Sequence, residues 1–143
     1  MITAKLKLIL TAAGCTTVLY ESDKLANILM DMAKREEIIG MILEPNTVQL
    51  NVKANAIQEH YPPVIIEIMR QVKLENPAED NADKLEVLLN ICKAVILGLI
   101  ASGDYKQIKP IEVTKILETR YDANVIGWSM PLDLYYLLNE NKC

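Results

Sequence analysis

Residues 121–134 read YDANVIGWSMPLDL, a polar turn that passes directly into strict alternation. Trp128, Met130, Leu132, Leu134 and Tyr136 fall on one side, and Ser129, Pro131, Asp133 and Tyr135 on the other. That is the period of two of a half-buried strand. Asp122 and Asn124 are turn residues whose side chains satisfy nearby backbone amides, and Gly127 suits a bulge or a close backbone approach. Trp128, on the apolar side, reads as core rather than as a ligand platform.

Working outward from this strand, residues 111–117 predict a second strand on the other side of the YDAN turn. Upstream, Leu85, Leu88, Leu89, Cys92, Val95, Ile96 and Leu99 follow helical spacing, and the acidic residues near Asp80 and Asp83 suit the positive pole of a helix dipole. Ser102-Gly103 ends that helix. Before it, KLENPAEDNAD (73–83) predicts an exposed acidic connection. Residues 64–72 predict a strand, and QEHYPP closes the one before it, because a proline cannot donate to a ladder.

In residues 48–56, Val48, Leu50, Val52, Ala54 and Ala56 alternate with Gln49, Asn51, Lys53 and Asn55. EIIGMIL (37–43) is continuously apolar, as a central strand is, and Pro45-Asn46 stops it, so these two runs predict a hairpin with its tip near Asn46. CTTVLYES (15–22) predicts a strand, and DKLANILMDMAKREE (23–37) a short helix or turn. At the N-terminus, Ile2, Leu6, Ile9, Leu10 and Ala13 make one face of a helix that Gly14 terminates. A leader anchored at Cys15 is the less favoured reading of the same residues.

The order is helix, strand, short helix, three strands, long helix, two strands. It predicts an α+β fold, a mostly antiparallel sheet with the N-terminal helix and the long helix on one face. At 143 residues and 51% hydrophobic, the chain has the size of one domain spanning residues 1–143. The apolar run 87–100 is broken by Asn90 and Lys93 and is short of the roughly 20 residues that cross a bilayer, so a buried helix and no membrane association are expected.

Three widely spaced cysteines (Cys15, Cys92, Cys143) suggest neither a disulfide framework nor a metal site. A net charge of −4 with scattered basic residues argues against a domain that grips nucleic acid. The lone His60 has no partnered nucleophile, and the five glycines form no GxSxG, GxGxxG or P-loop pattern. Carboxylates at Asp122 and Asp133, or at Asp31, Glu36 and Glu37, read as solvated or capping groups. No cofactor, no metal and no catalytic residue are expected. A small hydrolase built on Asp122 and His60 is the least favoured class.

The helix ending in AAGC, then VLYESDKLANILMD, MILEPNTVQLNV, VIIEIMRQV, ADKLEVLLNICKAVILGLIASG and TRYDANVIGWSMPLDL together resemble the tail-terminator-like virion proteins of tailed bacteriophages, of the type seen in phages and prophages of gut Bacteroidales. The resemblance implies a non-enzymatic subunit of a ring of six or twelve copies at the head-proximal end of the tail or in the neck, assembled in the host cytoplasm. Its partners would be itself, portal or adaptor and other neck proteins, and tail proteins. Genomic DNA would pass the lumen without specific binding, an acidic lining letting it slide. Contacts within or between rings are expected at Asn46, Thr47, Tyr61, Pro62, Glu79, Asp80, Asp122 and Asn124, with residues 73–83 and the tip near Asn46 facing the lumen or an adjoining ring. Pro63 and Pro131 would mark sheet edges that neighbouring subunits complete. The alternative is an intracellular adaptor that binds a protein partner through a sheet edge.

Overall fold

A computed structural model of the chain describes residues 2–20, 36–44, 47–73, 78–102, 110–120 and 123–139. The elements are α1 (Ile2–Ala13), β1 (Thr17–Tyr20), β2 (Ile39–Leu43), β3 (Gln49–Lys53), β4 (Ala56–Gln71), α2 (Ala78–Ser102), β5 (Thr114–Arg120) and β6 (Ala123–Asn139). The expected short helix or turn at 23–37 lies almost wholly outside the described residues. The fold is α+β as expected. Five strands lie in the order β1-β2-β4-β6-β5, and β3 joins β4 beyond the end of β2. Among the described strands only the β1–β2 pair is parallel.

Each helix follows from its sequence. Leu6 and Leu10 of α1 are fully buried, and the helix ends where Gly14 takes a φ of 122°. There the Cys15 amide donates to the Leu10 carbonyl at 3.0 Å, the wrapped C-terminal geometry that glycine adopts at least cost. On α2, Leu88, Cys92, Val95 and Leu99 are buried, and Leu85, Leu89 and Ile96 pack beside them, which is the predicted stripe. The helix starts at Ala78, so residues 78–83 form its first turns rather than part of an exposed connection. By length and composition, residues 81–102 would suffice to cross a membrane, contrary to the shorter run expected. One side of this helix packs on the sheet; the other exposes Val87, Leu97 and Ile100.

Beneath the helices the sheet contributes Ile42, Val64, Ile66, Ile68, Ile126, Met130, Leu132 and Leu134 to one core. Trp128 pins helix to sheet, its Nε1–H donating to the Leu85 carbonyl at 2.8 Å. The alternate residues Leu19, Ile39, Met41, Met69, Ile116 and Val125 form a second buried cluster on the opposite face. Burial on both faces accounts for the unbroken apolar run of β2, whose two sides are both hidden.

Two strand readings need correction. Residues 37–43 and 48–56 do not pair with each other: β2 and β3 lie end to end along the same side of β4, each antiparallel to it. The hairpin is instead β3–β4, closed by Ala54 and Asn55 between the paired Lys53 and Ala56, with Ala54 at a φ of 48°. QEHYPP does not end a strand either, since β4 runs sixteen residues straight through it. Pro62 and Pro63 sit where the β4–β6 register shifts, between Tyr61 and Val64, and in the gap between β2, which ends opposite Ile65, and β3, which begins opposite His60. A bulge facing such a gap tolerates a missing donor. Pro131 pairs with Ile65 just past the last β5 partner, Ser129. Pro63 thus lies in a central strand, whereas Pro131 stands on the part of β6 beyond β5, which has no described neighbour on that side.

The β4–β6 ladder is the longest in the molecule, and Gly127 sets its spacing. A Cβ there would stand 2.0 Å from the Ile68 carbonyl oxygen and 2.7 Å from the Met69 Cα, backbone atoms with no rotamer to yield. Gly127→Ala is expected to destabilise the fold by about 3 kcal/mol or more, read as a lowered denaturation midpoint with unchanged m-value. Ala54→Gly should act in the opposite sense, raising stability by about 0.5–1 kcal/mol by relieving a left-handed alanine.

Candidate functional site

The second half of the β4–β6 ladder extends past the helix-covered part of the sheet and carries β3 with it. This three-stranded arm comprises β3, residues 56–61 and residues 134–139. Its register sets Leu50, Glu59 and Tyr136 in one row and Val52, Ile57 and Leu138 in the next. The alternation read in residues 48–56 is present, but the apolar side is open: Val48, Leu50 and Val52 are 41%, 62% and 73% exposed. Scattered single apolar residues on a surface are ordinary, whereas three in line on one strand form a patch that calls for a partner.

The arm's other side is polar and cross-tied. His60 on β4 has its Nδ1 3.0 Å from Gln49 Oε1 on β3 and its Nε2 3.6 Å from Asp133 Oδ1 on β6. The imidazole therefore stands between side chains of the two flanking strands near the bulge. On the opposite side, the one that carries Leu50, Tyr61 donates its hydroxyl to Glu59 at 2.9 Å. The His60 contacts gather the polar side, while Val48, Leu50 and Val52 stay exposed on the other.

Of the expected contact residues, Thr47 is exposed at the entrance to β3, next to Val48. Tyr61 is buried at 8% exposure in the helix-side core. Pro62 lies in β4 at the bulge. Glu79 and Asp80 fall in the first turn of α2. Asn124 sits at the start of β6, where its carbonyl accepts from the Val72 amide at 2.9 Å. Asn46 and Asp122 lie outside the described residues. Thr47 and Pro62 belong to the arm or its base, while Glu79, Asp80 and Asn124 belong to other parts of the fold. Leu50 and Val52 were visible as an alternating pair, but alternation alone does not say which side is covered.

No arrangement for catalysis emerges among the described residues. No group of three His, Cys, Asp or Glu side chains is placed to hold a metal ion. Glu37 accepts a hydrogen bond from Thr17 Oγ1 at 3.1 Å, a brace between the starts of β1 and β2. Cys15 and Cys92 are free, buried thiols, and burial pushes each up to about 12, Cys92 further helped by the nearby Cys15. Protonated thiols in the core are poor nucleophiles. A scan against protein-family models finds no match to this chain, and a search of curated proteins finds no relative.

The thiols carry a pH dependence. The folded value lies above the ordinary 9.0, so the unfolded chain gives up these protons first, and stability intact below about pH 9 is lost as pH climbs toward 12. The Tm of the protein should therefore fall more steeply over that range than the Tm of a Cys15→Ala/Cys92→Ala variant. Equal slopes in the two proteins would contradict the assignment.

Proposed function

We propose that this protein is a structural subunit that assembles with copies of itself into a ring, and that the ring belongs to the neck or tail of a tailed bacteriophage. There it joins the head-side connector to the tail or ends tail growth, with DNA passing through the central channel. The observation that carries the self-association is the row Val48, Leu50 and Val52, left exposed on a strand paired on one side only among the described residues. A bare strand edge with an apolar side is a liability for a free monomer, and a neighbouring subunit removes it. The place in the virion rests on the sequence resemblance. The surplus of 19 acidic over 15 basic residues suits a channel along which a duplex slides without adhering.

The same edge supports a second reading, an adaptor domain that takes up a strand from a different protein. Mass separates the two. Light scattering of the purified 16.1-kDa chain should give a fixed multiple of that mass, and a monomer at every concentration would remove the ring. Burying an apolar side chain of this size is worth about 1.5–3 kcal/mol, so Leu50→Lys/Val52→Lys should weaken assembly by about 100-fold or more while leaving the Tm nearly unchanged.

A further inference from the structure

Among the described residues the arm has two bare edges. β3 pairs with β4 alone, and β6 beyond Ser129 has no described strand on the side that β5 occupies lower down. The two-residue turn at Ala54 and Asn55 makes Lys53 and Ala56 a pair that exchanges its hydrogen bonds inward. By alternation, the backbone N–H and C=O of Val52 and Leu50 then point away from β4. On β4 itself, residues 57, 59 and 61 turn to β6, so their partners Leu138, Tyr136 and Leu134 are engaged. The backbone groups of Tyr135, Leu137 and Asn139 consequently point outward on the far edge.

Resting on the ring reading above, we propose that the joint between subunits is the β3 edge of one copy added to the outer β6 edge of the next, at Leu50 and Val52 against Tyr135, Leu137 and Asn139. Direction decides the symmetry. β3 and β6 are both antiparallel to β4 and so run the same way. A rotation about an axis along the strands therefore sets β6 beside the neighbour's β3 in parallel, consuming one edge of each kind per joint and continuing head to tail until the circle closes. A two-fold β3–β3 pairing would be antiparallel, would stop at a dimer and would leave every β6 edge bare. The second copy is the fitting occupant because a single chain supplies both halves of the joint.

Area favours the closed form. Five residues of β3 span about 17 Å, so one joint buries on the order of 300–400 Å² per copy. That is below the about 800 Å² per partner of a standard stable interface. An isolated pair is short-lived, while a circle in which each copy holds two joints is not.

Proline tests each edge separately, because at an outward-facing position it removes a donor from the joint and none from the internal ladder. Val52→Pro and Leu137→Pro should each abolish the ring with native circular dichroism. Mixed at high concentration, they should form a 1:1 heterodimer by sedimentation, since one retains β6 and the other β3. Leu50→Lys/Val52→Lys replaces Val52→Pro if the latter misfolds, and Leu137→Lys replaces Leu137→Pro. A ring that survives either edge variant, a Leu137→Pro dimer that Val52→Pro abolishes, or a mixture that stays monomeric would each overturn this joint while leaving the ring standing. A wild-type protein that never associates would instead remove the ring itself.

Discussion

The fold depends on β4 being held along its whole length by β6. That single ladder crosses the boundary between two environments, a lower part buried on both faces and an upper part that leaves the helices behind. Its continuity requires two local exceptions: a glycine at 127, where the backbones close to a distance no side chain tolerates, and a bulge where two prolines are absorbed. With the ladder fixed, β2 and β3 have only one side of β4 to occupy and do so in succession. The helices then cover the part of the sheet they can reach, and the arm is what remains.

Much of this was legible in the chain. The stripe of α2, the face of α1, the glycine stop at its end and the alternation of β6 all follow from periodicity, and the doubly buried β2 follows from its unbroken apolar run. The β3–β4 connection was hidden because the position of its turn that takes the positive φ, where glycine is usual, holds an alanine, and Asn55 alone is a weak signal. The two prolines misled for a related reason. Their usual meaning assumes a partner strand on the side where the donor is missing, and β4 faces a gap there.

The candidate surface was the least legible part. Polar turn residues such as Asn46 and Asp122 attract attention in a sequence because nothing else explains them, whereas Leu50 and Val52 look like ordinary core. Only the three-dimensional arrangement reveals that the layer which should cover them ends short, and that His60, Gln49 and Asp133 stiffen the opposite side. Exposure of an apolar row, rather than any metal-binding cluster among the described residues, is the feature on which the proposed self-association rests.

The level of Pro62 and Pro63 has a mechanical consequence. There, among the described residues, β4 pairs with β6 alone, with β2 finished and β3 not yet begun. Fewer described pairings cross β4 at that level than above or below it, so the sheet is least cross-braced there. If the arm carries a joint of the kind proposed above, compliance at this level would let its angle to the layered body adjust to the copy it meets.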